Sequence, residues 1–174
     1  MALRLLFFDQ EIENNMMIHA ANSFMAFDYG SRWIGVAVGS RFSQQPEVLQ
    51  PIMVRRKKAD WASLQALQHT WQPDAFVVGL AYHADDQLSS TGKKAQDFGA
   101  FLQRKFNKPC YYVDEYLSSW QAAQNLILQA GRGRRSKSNK HGVHGHSAAV
   151  ILHTFLSEPA TTHMAATRPE ETGK

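Results

Sequence analysis

Apolar positions in this chain fall into short runs that switch between two periods, and the switches lay out its elements. Phe24 to Phe27 and Trp33 to Val38 are short, apolar and partly β-branched, and Tyr29, Gly30, Ser31 and Arg32 between them suit a tight turn, so the pair reads as a β-hairpin. A third run, Val48 to Val54, contains Pro51, which cannot donate to a ladder and demotes the run to an edge or bulged strand. Asp60 then caps a helix in which Trp61, Leu64, Leu67 and Trp71 recur every three to four residues. "AFVVGL" (75–80) is apolar throughout, as in a strand covered on both faces. Lys93 and Lys94 open a second helix with Ala95, Phe98, Leu102 and Phe106 on its apolar stripe, and "CYYVDE" (110–115) reads as another buried strand. A third helix is expected from near Ser118 to Ala130, and a last one from about Gly145 to Leu156. The order β-β-β-α-β-α-β-α-α predicts an α/β fold: a mixed five-stranded sheet, three strands in a meander and then alternating αβαβα, with helices on both faces.

The ends differ from this middle. Residues 1–23 carry no sustained period and contain Met16 and Met17, so an extension or an overlong start is expected there. Residues 24–157 form the expected domain, and 158–174 ("PATTHMAATRPEETGK" after Glu158) read as a disordered tail. A chain of 174 residues buries about 70% of its unfolded surface and needs neither disulfide nor structural metal to fold. Nineteen Lys and Arg against fifteen Asp and Glu give a net charge of +4, a slight bias toward polyanionic partners. The lone Cys110 precedes an apolar run, which suits a buried thiol in a reducing compartment rather than a nucleophile. Leu5 to Phe8 is cut off by Asp9 and is too short for a signal peptide's apolar core, and no run is long enough to span a membrane, so the cytoplasm is the expected location.

Candidate chemistry stands at the ends of apolar elements. Asp28 closes the first strand, Glu115 closes "CYYVDE", and His144 and His146 stand where the last helix begins, in "HGVHGHSAAVILHTFL" (141–156). In such sheets, polar groups at strand ends converge outside the carboxyl edge. A carboxylate there is expensive to desolvate unless it is paired or bound to metal. Alone, Asp28 could simply cap its turn by accepting from Gly30 or Ser31, and Glu115 could be a solvated strand-end charge.

They do not stand alone. "FDYGSRWIGVAVG" (27–39) is similar to the opening motif of the YqgF (RuvX-like) family, members of the RNase H-like nuclease superfamily. "VVGLAYHADD" (77–86), "VDEYLSSWQA" (113–122) and "SAAVILHTFL" (147–156) resemble that family's later motifs, in order. The resemblance covers roughly residues 24–156. It implies an RNase H-like fold and a metal-dependent endonuclease whose acidic triad would include Asp28, Glu115 and an Asp opening the last helix. Here the sequence departs from the pattern, because His144 stands where the third Asp belongs; Asp85 and Asp86 lie in another loop. Asp28, Glu115 and His144 are thus the implied catalytic and metal-holding residues, for Mg²⁺ or Mn²⁺. Exchange of a carboxylate for imidazole suits Mn²⁺ better, and a histidine could also act as a base; as the plainer alternative, His144 only caps the helix. Tyr116 replaces an Arg usual after the Glu, and Ala81 and His83 replace a Pro and an Asn of the second motif.

The loop "GRGRRSKSNK" (131–140) adds Arg132, Arg134, Arg135, Lys137 and Lys140 beside the final motif, and Lys94 joins them as a candidate phosphate contact. A merely solvated loop is the alternative. Trp61, Trp71 and Trp120 fall at helical spacing and read as core rather than base-stacking platforms. The implied function is maturation of the 5′ end of pre-16S rRNA in ribosome biogenesis, with Holliday junction resolution as the alternative and a binding module without catalysis as a reading of another class. Structured RNA is the expected partner and branched DNA the other, with the chain a monomer or weak dimer. The opening hairpin also resembles that of sugar kinases and actin-like ATPases, but those need a second lobe that 174 residues do not supply.

Overall fold

The computed structural model describes residues 21–43, 45–56, 58–83, 85, 87–114, 141–157 and 164–165, with the backbone alone for 141–144 and 164–165. Its elements are β1 (Ser23–Tyr29), β2 (Trp33–Ser40), β3 (Glu47–Val48), β4 (Ile52–Arg55), β5 (Lys58–Ala59), α1 (Trp61–Trp71), β6 (Ala75–Leu80), α2 (Ser90–Phe106), β7 (Cys110–Asp114), α3 (His141–Ser157) and β8 (Met164–Ala165). They build one mixed sheet in the order β5-β4-β2-β1-β6-β7-β8, with β3 also paired to β2.

Register fixes which end of the sheet matters. β1 and β2 are antiparallel, with Asp28 opposite Gly35 and Phe24 opposite Gly39. β6 runs parallel to β1, and β7 parallel to β6. The carboxyl ends of β1, β6 and β7 therefore lie at one edge, the edge that holds Asp28 and Asp114.

The period of two sorts side chains to two cores. Met25, Phe27, Val36, Phe76, Val78 and Tyr112 meet Leu64 of α1 and Ala95, Phe98 and Leu102 of α2 on one face. Phe24, Ala26, Ala37, Val77, Tyr111 and Val113 meet Ala148, Ile151, Leu152 and Phe155 of α3 on the other. All six residues of β6 are buried, which is why its sequence does not alternate. Phe155 stands edge-on to Phe24 (centroids 5.0 Å apart) and stacks on Tyr111 (5.5 Å), pairs that contribute about 0.5–1.5 kcal/mol each beyond burial. Cys110 lies in the first core with its thiol pushed up by burial, a packing residue as expected.

The start of β1 is tied to the start of β6. The Asp74 carboxylate accepts from Asn22 N, Ser23 N and Ser23 Oγ, each at 2.9 Å. These bonds hold its carboxyl below the usual carboxylate range, against the opposing pull of its partial burial.

Several boundaries differ from expectation. The third run breaks into β3 and β4 around Pro51, both on β2, so the demotion takes the form of an interrupted strand. With that split, β5 and β8 carry the strand count from five to eight; two residues each, they show no apolar alternation to read. β8 pairs with Tyr111 and Tyr112, inside the segment expected to be a tail. Ala21, on the other side of the expected boundary, is buried in the α3 core. α2 begins at Ser90, earlier than its apolar stripe, because Ser89 caps it by accepting from Gly92 N at 2.9 Å. α3 begins at His141 rather than near Gly145. Trp61 and Trp71 are rim residues, each 39% exposed, and not core. Trp61 stacks on Phe106 with centroids 5.4 Å apart. The helix expected from Ser118 to Ala130, with Trp120, lies outside the described residues.

Candidate active site at the carboxyl edge of the sheet

Asp28 is the sixth residue of β1 and is half-buried. Its neighbours decide its face. Phe24 and Ala26 belong to the α3 core, while Met25 and Phe27 belong to the other, so alternation puts Asp28 on the α3 face and Tyr29 on the α2 face. Tyr29 confirms the parity by packing on Phe98 at 5.3 Å. The turn beneath is closed by Gly30 N donating to Trp33 O at 3.0 Å. Asp28 is not isolated; it is engaged by neighbours within the fold.

α3 brings its first turn to this same edge. A Cβ on Gly145 would stand 2.3 Å from Val48 Cγ1, and one on Gly39 would stand 3.1 Å from Leu152 Cδ2. Val48 is level with Ala37 and hence Ala26, whereas Gly39 is level with Phe24. The helix thus descends toward the start of β1 as its number rises, and its amino-terminal turn, with the His144 backbone, lies at the Asp28 end. That turn contains no acidic residue. It presents the positive end of the helix dipole, which favours anions. His146, one position past Gly145, is half-buried and engaged by neighbours.

β7 ends at the edge with Asp114, exposed and opposite Leu80. Cys110 and Tyr112 face α2, so Asp114 shares their face and not that of Asp28. Tyr82 stands near it: burial, and then the negative charge of Asp114, raise the Tyr82 phenol. Tyr29 is likewise raised, by burial and by Asp97. The α2 face of the edge is thus lined by tyrosines and carboxylates that sequence reading passed over; "YH" and "VD" at strand ends were the available signals. Lys94 is exposed in the opening turns of α2, which starts at this edge because it follows β6. Glu115, Arg132, Arg134, Arg135, Lys137 and Lys140 lie outside the described residues, as does the side chain of His144. Among the described residues no group of three His, Cys, Asp or Glu could hold a metal ion, and no helix is long and apolar enough to cross a membrane.

Comparison with known proteins identifies the lineage. The signature of the RuvX family, described as Holliday junction resolvases, matches residues 22–158. A Chromohalobacter salexigens protein provisionally named a pre-16S rRNA nuclease is 37% identical over 134 residues, covering 77% of this chain and 88% of its own. Relatives of the same provisional name occur in Pseudomonas aeruginosa (36% identical, covering 77% of this chain and 91% of theirs) and in Xanthomonas euvesicatoria pv. vesicatoria (32%, covering 82% and 92%). Among solved structures, Thermus thermophilus RuvC bound to a Holliday junction substrate aligns with a TM-score of 0.53 at 15% identity, covering 76% of this chain and 91% of that one. RuvC on its own gives 0.53 at 12%, covering 82% and 99%. At such identities the likeness establishes a shared RuvC-like, RNase H-like fold. The chain belongs to the RuvX family of nucleases, enzymes that hydrolyse phosphodiester bonds.

Proposed function

We propose that the chain is a divalent-metal-dependent endonuclease that trims the 5′ end of pre-16S rRNA, with Asp28, Glu115 and His144 around the scissile phosphate. One observation carries the reading: a half-buried carboxylate at the end of β1 shares its sheet face with the amino-terminal turn of α3, from which His144 comes. Parity supports the choice of Glu115 over Asp114. Asp114 shares the α2 face with Cys110 and Tyr112 and not the face of Asp28, which leaves Glu115 as the carboxylate of this motif to partner Asp28.

The donor set suits the implied metal. Asp28 and Glu115 offer the hard oxygens that Mg²⁺ or Mn²⁺ takes, and an imidazole at His144 is tolerated better by Mn²⁺. When bound, such an ion supplies charge stabilisation of the phosphoryl oxygens and activation of the attacking water. The chain's own residues do the rest. Asp28 fixes the position of the centre on a rigid strand whose neighbours are fully buried. As an alternative to holding the ion, a neutral His144 can accept the proton of the attacking water at a ring nitrogen. Lys94 and the basic segment 131–140 hold the flanking phosphates without reading bases.

The family's description favours a second substrate, the four-way DNA junction. The test is cleavage of a labelled pre-16S leader fragment and a synthetic junction, with Mg²⁺ or Mn²⁺, by wild type, Asp28→Asn, Glu115→Gln and His144→Ala. RNA cleavage lost at least ~100-fold in all three variants and abolished by chelation is expected. Preference for the junction would replace the substrate, and undiminished cleavage by Asp28→Asn would overturn the centre itself.

A further inference from the structure

The hairpin of β4 and β5 carries "RRKK" at its tip, residues 55–58, and its construction runs against local stability in two ways. Arg55 and Lys58 are directly opposed across the ladder. Like charges so placed repel. Arg56, first of the two loop residues, adopts φ 49°. That is the hand a type I′ turn demands, but Asn, Asp or Gly occupy it far more cheaply than an arginine. The other two non-glycine residues with positive φ among the described residues, Gln72 and Asn107, simply end helices. The tip sequence thus keeps four cations at the expense of its own stability.

Position says for what. Ile52 pairs with Ile34, and Val54 N donates to Arg32 O at 2.8 Å, so β4 climbs past the β1–β2 turn at the Asp28 edge. Ile52, Val54 and Ala59 pack on the α2 face of the sheet, so Arg55 and Lys58 share the α3 face with Asp28. Exposed Arg32 stands beside them in the turn. Among the described residues, Arg55 Nε bonds to Met53 Sδ at 3.0 Å, and the carboxylate next along the sequence, Asp60, accepts from Ser63 Oγ at 2.6 Å. By ladder spacing Arg55 is about 10 Å across the sheet from Asp28 and ~13 Å along it. That is roughly 16 Å in all, on the order of five duplex steps at 3.4 Å each.

We propose that Arg32, Arg55, Arg56 and Lys58 form a phosphate-binding ridge that holds the substrate strand beyond the Asp28 end of the sheet. The proposal rests on the reading of the chain as a nuclease. The ridge takes the sugar-phosphate backbone of RNA and carries no base specificity. Its charge repulsion is relieved by bound phosphates.

The test uses the full chain in an Asp28→Asn background, so that substrate is bound and not cut. Binding of a labelled pre-16S leader RNA is measured between ~50 and ~200 mM salt with and without Arg55→Gln/Arg56→Gln/Lys58→Gln. Arg104→Gln/Lys105→Gln, at the exposed far end of α2, controls for net charge. The hairpin variant is expected to lower the slope of log affinity against log salt by ~2 to 3, and affinity at the lower salt by about ten- to a hundred-fold, with the control near wild type. An unchanged slope, or an equal loss per charge in the control, overturns the ridge. Cleavage by the wild-type centre is scored separately on the same RNA. Cleavage with an unchanged hairpin slope sinks the ridge alone, and a lowered slope without any cleavage of this RNA sinks the RNA-trimming reading while the ridge stands.

Discussion

Gly145→Ala separates the position of α3 from its stability. The new Cβ would stand 2.3 Å from Val48 Cγ1 and 3.7 Å from Leu49 O. Ordinary carbon contacts lie at about 3.5–4.0 Å, so helix and strand must part by ~1 Å or more. Val48 is β-branched and turns poorly out of the way. Overpacking costs about 1–3 kcal/mol, whereas Gly to Ala in a helix interior returns about 1 kcal/mol. The net loss is therefore about 0–2 kcal/mol, which lowers Tm by no more than ~8 °C in a domain of this size. Activity suffers more. A displacement near 1 Å at reacting groups can cost ~100-fold, and the first turn of α3 carries His144. Adding Val48→Ala removes the colliding methyl; Val48 is 39% exposed, so its truncation alone is cheap. The double variant should regain cleavage and melt at or above wild type, because the helical gain is then unopposed. Thermal melts and single-turnover cleavage read both quantities. Wild-type cleavage by Gly145→Ala, or failure of Val48→Ala to rescue it, would refute the reasoning.

Three further outcomes are expected. His144→Asp should raise cleavage in Mg²⁺ relative to Mn²⁺, since it restores an oxygen donor; an unchanged ratio would remove His144 from the metal. Gly99→Ala would put a Cβ 2.6 Å from Tyr112 Cε1 and break the bond from Tyr112 Oη to Gln96 O, now 2.9 Å. It should cost about 1–3 kcal/mol after the helical gain, with the cleavage rate of the folded protein unaltered. The Asp74 carboxyl is held low by its bonds to Ser23 and Asn22, so its contribution is complete above the ordinary carboxylate value of ~3.9 and is lost as pH falls through the lower folded value. Asp74→Asn should therefore weaken the fold at neutral pH, by about 1 kcal/mol given the group's exposure, and flatten the acid limb of a stability-against-pH curve.

Much of this architecture is legible in sequence where burial is complete. "AFVVGL" reads as a strand because every residue is covered, and the α3 run reads as a helix because Ala148, Ile151, Leu152 and Phe155 recur on one stripe. Asp28 is conspicuous as a carboxylate at the mouth of such a strand. The signal fails where local bonds, not apolar burial, define the element. α2 is started by the Ser89 cap nine residues before Phe98, the first large apolar position of its stripe. β5 and β8 are held by ladder bonds from strands already in place. Trp61 and Trp71 have the right spacing but sit at the two ends of α1 and remain exposed. The cationic hairpin escaped because "RRKK" has no period; only the register shows which face it joins.

α3 also sets an order of events. It comes late in the chain, yet it packs on β1 and β2 near the beginning, with Leu152 against Gly39, about a hundred residues apart. Closing so long a loop adds only logarithmically to the entropy of ordering, but it cannot occur before the chain has been synthesised that far. During translation the β1–β2 hairpin emerges with Asp28 and no partner helix, and the centre is completed only when nearly the whole domain has left the ribosome.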